Sequence, residues 1–99
     1  MKRYRVKLLD RAKREYAVAR TWWRTYRQAP NALRDELYAA RDLVSRNPAI
    51  GRGDDDQGGE IRRLRLPTTR YILFYRVDDA VGEVQIIALW HASRKGVEE

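Results

Sequence analysis

The sequence predicts an α+β domain, in which an antiparallel four-stranded sheet carries an N-terminal helical hairpin on one face in the order β-α-α-β-β-β. Two observations favour this class. Apolar residues alternate with polar ones in one run near the start and in three runs across residues 61–94, while residues 10–47 hold two stretches of helical periodicity. Two amphipathic helices must bury their apolar stripes, and the sheet is the available surface. A length of 99 residues agrees with one domain spanning residues 1–99.

The first strand is predicted over residues 4–9, because its side chains alternate without interruption. Tyr4, Val6 and Leu8 point to one side, which is therefore the buried side. Arg3, Arg5 and Lys7 point to the other side. This strand is expected to be half buried, with a basic exposed face.

The first helix is expected to begin after Asp10, whose carboxylate can cap free amide groups of the first turn. Its inward stripe has steps of four and three residues and consists of Ala12, Tyr16, Ala19, Trp23 and Tyr26. Trp22 lies next to the stripe and points elsewhere, so it either covers the border of the core or contacts a partner. Pro30 ends this segment, because it lacks an amide donor.

A second helix is predicted after Asn31, which is placed to cap it, and before Asn47-Pro48, which stops it. Its stripe repeats the steps of four and three residues with Leu33, Leu37, Ala40 and Val44. The following segment, residues 49–60, is rich in glycine and aspartate. We expect a solvated, mobile loop there rather than a metal site, because the aspartates lack the spacing of a calcium-binding loop.

The last three strands complete the sheet. In residues 61–66, Leu64 and Leu66 oppose Arg63 and Arg65, and residues 71–77 are apolar on both faces, as in a central strand. Residues 78–82 form a hairpin turn that leads into a buried strand over residues 83–90. The face without helices is therefore expected to collect Arg3, Arg5, Lys7, Arg63, Arg65 and Arg76.

Composition excludes several classes of function. The chain has no cysteine, which removes disulfides, thiolate metal sites and cysteine nucleophiles, and a single histidine cannot build a zinc site by itself. No apolar run has the length of a membrane span and no signal peptide opens the sequence, so a soluble, cytoplasmic protein without metal or other cofactor is expected.

The net charge of +7 is uneven, with a local balance of +8 over residues 1–27. A basic domain attracts polyanions, which include nucleic acid, a ribosome or an acidic protein. The alternative is a basic surface that has no partner.

The segments RYILFYRV and VQIIALWHASR, with the order of elements around them, resemble the RelE/ParE superfamily of toxins from type II toxin–antitoxin systems, specifically its ParE-like branch. The resemblance covers nearly the whole chain, from the first strand to the step between His91 and Arg94. It implies a growth-inhibiting toxin, of the kind that also stabilises plasmids, whose partner is a cognate antitoxin in a hetero-oligomeric complex.

The superfamily implies two activities. RelE-like members cut mRNA on the ribosome, which requires basic and acid–base side chains to converge on the reacting phosphate. By position, the two lysines of RelE fall on Arg63 and Arg65, and its arginine after the last strand falls on Arg94. Its third-strand arginine falls on Ile72, and its C-terminal tyrosine has no counterpart up to Glu99.

The ParE-like activity, inhibition of DNA gyrase by direct binding without catalysis, is therefore the first hypothesis. The residues expected to bind partners are Arg3, Arg5, Lys7, Trp22, Arg63, Arg65, Arg76 and Arg94. The alternative is a ribosome-dependent mRNA endonuclease that uses Arg63, Arg65, His91 and Arg94. His91 is read either as a catalytic group or as a packed residue at the edge of the core. A third hypothesis is a basic binding module that has no toxicity.

Overall fold

The structure, a computed structural model, describes residues 3–26, 31–53 and 61–93, with only the backbone described at Tyr26 and Arg52. The elements in chain order are β1 (Arg5–Leu8), α1 (Asp10–Tyr26), α2 (Ala32–Arg46), a 3₁₀ turn (Pro48–Ile50), β2 (Arg52–Gly53), β3 (Arg62–Arg65), β4 (Tyr71–Asp78) and β5 (Glu83–His91). The predicted α+β class, with two helices packed on a sheet, is confirmed. In the described segments, no helix is long and apolar enough to span a membrane.

The sheet has the spatial order β1-β5-β4-β3-β2, which places β5 and β4 at its centre. The three pairs among β2, β3, β4 and β5 are antiparallel, whereas β1 runs parallel to β5. The predicted antiparallel sheet is therefore confirmed for these three pairs, and the parallel pairing of β1 is an exception at one edge. No tight turn joins β1 to β5, so the hairpin rule that forces neighbouring strands to be antiparallel does not apply to them.

A second difference lies in the segment after α2, which was predicted to be an irregular loop over residues 49–60. Pro48–Ile50 forms a 3₁₀ turn, and Arg52–Gly53 adds a short fifth strand beside β3. The rest of that prediction, residues 54–60 with their three aspartates, lies outside the described residues. The local reason for the ordered part is Tyr75 on β4, whose hydroxyl donates to the Pro48 carbonyl and accepts from the Gly51 amide.

The helices form as their periodicity predicts. The α2 stripe of Leu33, Leu37, Ala40 and Val44 is buried, and so are Ala12, Ala19 and Trp23 of α1. Helix α1 begins at Asp10 itself, so Asp10 lies in the first turn rather than before it. Asn31 occupies the N-cap position of α2 through its backbone carbonyl, without a side-chain hydrogen bond, and Asn47 follows the last residue of the helix. The predicted stop at Pro30 lies outside the described residues.

The core lies between these stripes and the inner face of the sheet, where Leu73, Tyr75, Val84, Ile86 and Leu89 are buried. A bulge opposite the step from Phe74 to Tyr75 inserts one extra residue into β5. This bulge lets Ile86 and Leu89 both face the helices, although they are three positions apart in the sequence and would otherwise point to opposite faces. The second half of β5 is apolar along its length, as the sequence indicated, and the bulge fits this run to the core.

Candidate functional site

The face of the sheet opposite the helices, called the open face below, is built from cross-strand rows that the register defines. The first row joins Arg65, Ile72 and Trp90, and the second joins Arg63, Phe74 and Ala88. The third joins Arg76, Gln85 and Lys7, and the fourth joins Asp78, Glu83 and Arg5. Five predicted cations, namely Arg5, Lys7, Arg63, Arg65 and Arg76, are thus brought onto one surface, as expected.

Charge on the open face is segregated by row. The fourth row holds both acids, Asp78 and Glu83, next to Arg5. The first three rows hold four cations and no acid, and we call them the acid-free half. Among the residues that the structure describes, the cations of this half form no salt bridge with a carboxylate.

The floor of the acid-free half is apolar. Ile72 and Ala88 are each only 4% exposed, while Phe74 and Trp90 are half-buried and meet edge-to-face with ring centroids 5.3 Å apart. The guanidinium carbon of Arg11 lies 5.0 Å from the centroid of the Trp90 ring, which is cation–π distance. The surface is therefore a strip of aromatic and aliphatic groups with arginines at its margins.

Arg3 was predicted on the open face and does not lie there. Its Nη2 forms a salt bridge of 2.6 Å with Asp42 on α2 and also donates to the Ser45 hydroxyl at 3.3 Å. The alternation that placed it holds only inside β1, which begins two residues later. Before that point the chain turns to the end of α2, where the Tyr4 amide donates to the Ser45 carbonyl.

Arg76 is hydrogen-bonded to a neighbouring strand of the open face. Its Nε donates to the side-chain carbonyl of Gln85 at 2.6 Å, across the ladder, rather than to Asp78 or Asp79 in the following turn. Asp78 instead accepts from the Ala80 amide within that turn. Asp79 accepts from the hydroxyl of Tyr4, and this hydrogen bond is the main reason that the pKa of Tyr4 is raised.

His91 lies on the side of the sheet opposite Arg63 and Arg65. Neighbouring residues of a strand point to opposite faces, so Trp90 leaves β5 on the open face, from which its indole still reaches Glu15 on α1, and His91 takes the helical face. There the His91 ring packs edge-on against Tyr71, with centroids 5.1 Å apart, and its Nδ1 accepts from the Ser93 amide. The nuclease set of Arg63, Arg65, His91 and Arg94 is therefore split, and Arg94 itself lies outside the described residues.

A second candidate surface is a cavity of about 690 Å³ between α1 and the end of β5. Trp22 forms part of its wall and is 40% exposed, with its ring centroid 5.9 Å from that of Trp23. Val18, one turn earlier, is 71% exposed. The remaining lining residues are Arg14, Glu15, Ala19, Tyr71, Leu89, Trp90, His91 and Ser93. Trp22 thus covers the border of the core and keeps an exposed surface, and its contact with a partner stays a prediction.

Glu15 is the residue of this region that sequence reasoning missed. Strand β1 pairs with β5 as far as Ile86, and beyond that point no strand of the described residues borders the outer edge of β5. Glu15 on α1 takes the missing place, since its carboxylate accepts from the Leu89 amide at 3.0 Å and from the Trp90 indole at 2.6 Å. A signal existed, because Glu15 falls three residues after Ala12 and four before Ala19, which is on the inward stripe.

Metal chemistry has no support in the described segments. Within residues 3–26, 31–53 and 61–93, no three histidine or carboxylate side chains lie close enough together to hold a metal ion. Among the described residues, the rows that contain Arg63 and Arg65 offer positive charge and apolar groups, and they contain no carboxylate or histidine.

Comparison with known proteins assigns the family. The sequence profile of the ParE toxin of type II toxin–antitoxin systems matches residues 6–96. The chain belongs to the ParE toxin family. It is thus a toxin of the RelE/ParE superfamily, as its strand motifs predicted. No curated protein is similar enough in sequence to count as a match.

Solved structures show the same fold in both branches of the superfamily. The RelBE2 toxin–antitoxin complex of Mycobacterium tuberculosis has a TM-score of 0.70 at 23% identity, over 95% of this ParE-family chain and 97% of that one. The isolated RelE toxin of E. coli has a TM-score of 0.65 at 23% identity, over 96% and 90%. The chromosomal ParDE system of P. aeruginosa has a TM-score of 0.69 at 16% identity, over 89% and 95%. Because RelE and ParDE structures both match, the activity must be inferred from side chains.

Proposed function

We propose that this toxin inhibits DNA gyrase by direct binding in the cytoplasm and that a cognate antitoxin neutralises it. The observation that carries the proposal is the identity and burial of Ile72 on the open face. Ile72 is 4% exposed and lies in the row between Arg65 and Trp90. A RelE-like nuclease requires an arginine at this position, and a buried aliphatic side chain can neither stabilise a phosphate nor move a proton.

The position of His91 supports the same proposal. A histidine that served as acid or base beside Arg63 and Arg65 would have to share their face, and it lies across the sheet from them. The arginines of the open face are consequently assigned to binding. They offer charge and planar hydrogen-bond donors to an acidic surface, in agreement with a toxin that blocks an enzyme by contact.

The antitoxin is proposed to engage the helical side. An acidic tail that is disordered alone would fold on the toxin, with a helix on the α1–α2 hairpin and extended segments along the sheet. Helix α1 supplies the complementary charge, since Arg11 and Arg14 are exposed beside the cavity that Trp22 lines. Exposed Val18 supplies an apolar contact at the same place.

Two assays separate gyrase inhibition from mRNA cleavage. We expect the purified toxin to block supercoiling by purified gyrase, and primer extension on mRNA from poisoned cells to reveal no new cleavage sites. Normal growth of cells that make the soluble protein without its antitoxin would contradict toxicity as such. If the toxin leaves supercoiling intact and Arg63→Ala with Arg65→Ala abolishes killing, then the nuclease alternative is correct.

A further inference from the structure

We propose that the turn between β3 and β4, residues 66–70, is a preformed contact surface for the target of the toxin, with Arg70 as its central contact. The partner that fits it is an acidic protein surface, which offers a carboxylate to the guanidinium. Arg70 belongs to none of the four rows of the open face. The inference rests on the proposed function, since it names a contact that inhibition by direct binding would use.

The backbone conformation of Arg70 is the first argument. Its φ is 65°, in the left-handed region, and within residues 3–26, 31–53 and 61–93 it is the one residue other than glycine with a positive φ. A side chain at such a φ is destabilising because its Cβ crowds the backbone, whereas glycine adopts this conformation freely. The turn between β4 and β5 does use glycine, at Gly82 with a φ of 67°. Folding would be served by glycine at position 70 as well, so the arginine is explained by a role of its side chain.

The hydrogen bonds that hold the turn are the second argument. The Arg70 amide donates to the Leu66 carbonyl, and the Arg70 carbonyl accepts from the Ala92 amide, both at 2.8 Å. The Glu36 carboxylate on α2 accepts from the amides of both threonines of the turn and from the hydroxyl of the second. A strained residue persists where its surroundings determine its conformation, and such residues are concentrated at functional sites. The turn is thus ordered before a partner arrives, which lowers the entropy cost of binding.

The side chain of Arg70 is available to a partner. Arg70 is exposed, and so are Pro67 and Thr68 of the same turn. In the described parts of the chain, no carboxylate lies within ion-pair distance of Arg70. The acid that reaches this turn, Glu36, accepts from backbone amides instead. The guanidinium is therefore held on a rigid support without an internal counterion.

The composition of the turn favours an acidic protein over nucleic acid. Arg70 is the only charged residue of the segment 66–70. A lone guanidinium suits a single carboxylate, which it binds through two parallel hydrogen bonds. Affinity for nucleic acid instead requires several cations that neutralise successive phosphates. Pro67 and Thr68 add exposed, uncharged contact area beside the arginine.

The first test is inhibition of supercoiling by purified gyrase, measured with the full chain and its variants. Arg70→Ala and Arg70→Gly should each raise the half-inhibitory concentration about fivefold or more, as truncation of a central interface arginine does. Arg70→Lys keeps the charge without the planar fork and should recover part of the inhibition. The matched control, Arg20→Ala on α1, removes an exposed arginine from the helical side and should change inhibition less than about twofold.

Thermal unfolding of the same variants separates a binding role from a structural one. Arg70→Gly should unfold at or above the wild-type midpoint, because relief of the positive φ offsets the extra freedom of glycine in the unfolded chain. Arg70→Ala keeps the backbone conformation and should unfold within about 2 °C of the wild type. Arg20→Gly should lower the midpoint by about 4 °C, since glycine in a helix interior relieves no strain and adds only that freedom.

Two results would overturn the inference. One is inhibition of gyrase by Arg70→Ala and Arg70→Gly at the wild-type concentration. The other is a fall of both unfolding midpoints together with the loss of inhibition, which would make Arg70 a structural residue.

Growth arrest on expression without the antitoxin keeps the two proposals separate. If the wild type arrests growth and leaves gyrase active, the proposed function fails, while weaker arrest by the Arg70 variants would still place the target at this turn. If the wild type blocks gyrase and the variants do so equally well, only this inference fails. If the variants arrest growth normally and escape rescue by the antitoxin, Arg70 contacts the antitoxin and the inference is wrong.

Discussion

Glu15 on α1 accepts a 2.6 Å hydrogen bond from the indole nitrogen of Trp90 on β5, between residues 75 positions apart in the sequence. The second oxygen of the same carboxylate accepts from the Leu89 amide, and only 18% of the side chain is exposed. One side chain thus joins α1 to β5 by two hydrogen bonds, beyond the point where β5 stops pairing with β1. It also closes one wall of the cavity that Trp22 lines.

Replacement of Glu15 by alanine should therefore lower the free energy of unfolding by about 2 kcal/mol, because the Leu89 amide and the Trp90 indole lose a charged acceptor and Arg11 loses its ion-pair partner. Urea denaturation measures the loss. Asp35→Ala is a suitable control, since Asp35 is exposed and its ion pair among the described residues is with its neighbour Arg34. Equal losses in the two variants would refute the role assigned to Glu15.

Tyr75→Phe should cost about 2 kcal/mol, since it leaves the Gly51 amide and the Pro48 carbonyl without the hydroxyl that satisfies both. Burial is the main reason that the pKa of Tyr75 is raised, and the Gly51 amide and Arg62 oppose that shift. Tyr38→Phe makes the same chemical change on an exposed side chain of α2 and should leave the unfolding midpoint unchanged. If Tyr75→Phe leaves the free energy of unfolding unchanged, then water replaces the hydroxyl as the partner of both backbone groups.

Gly51→Ala should be destabilising for a steric reason. A Cβ at this position would lie 2.5 Å from the Tyr75 hydroxyl oxygen and 2.7 Å from its ring, and Tyr75 is fully buried. Overpacking of this kind costs about 1–3 kcal/mol. Gly53→Ala is the matched control, because a Cβ there meets nothing within 4 Å. Thermal unfolding of both variants should separate them clearly, and similar midpoints would contradict the close approach.

Glu36 predicts a dependence of stability on pH. Burial acts to raise its pKa, but hydrogen bonds from the Thr68 and Thr69 amides and the Thr69 hydroxyl outweigh burial, and the net pKa is lowered below 4.5. A lowered pKa in the folded state contributes stability at higher pH, and this contribution is lost as pH falls through the lowered value. Glu36→Gln should therefore be less stable at neutral pH and lose less stability on acidification. Parallel pH profiles would exclude this linkage.

Val18→Asp should weaken neutralisation by the antitoxin, because it places a charge at the apolar rim of the cavity beside α1 and repels an acidic segment. When the toxin variant and the antitoxin are expressed together, the effect is measured as a loss of rescued growth. When the variant is expressed without the antitoxin, its toxicity should be unchanged. Val81→Asp introduces the same group at another exposed valine, in the turn between β4 and β5, and should be rescued normally. If the antitoxin rescues growth normally with both variants, then the cavity is not part of the antitoxin interface.

The sequence alone determined the class of fold, because periodicity is a local property. The α2 stripe, the central strand over residues 71–77 and the alternation of Arg63 with Leu64 each follow from neighbours a few residues apart. The resemblance of the strand motifs to the RelE/ParE superfamily, rather than periodicity, placed Ile72 where a nuclease of that superfamily has an arginine.

Only the tertiary structure decided which side chains meet, because such contacts depend on strand order and direction rather than on local spacing. Arg3, which was predicted on the open face, pairs with Asp42 on α2, and His91 lies on the face of the sheet opposite Arg63. The tertiary structure also made β1 parallel to β5. Because that pairing stops at Ile86, Glu15 accepts the hydrogen bond of the Leu89 amide at the edge of β5 beyond it. A periodicity shows which face a residue takes within its own element, and long-range packing determines what lies opposite that face.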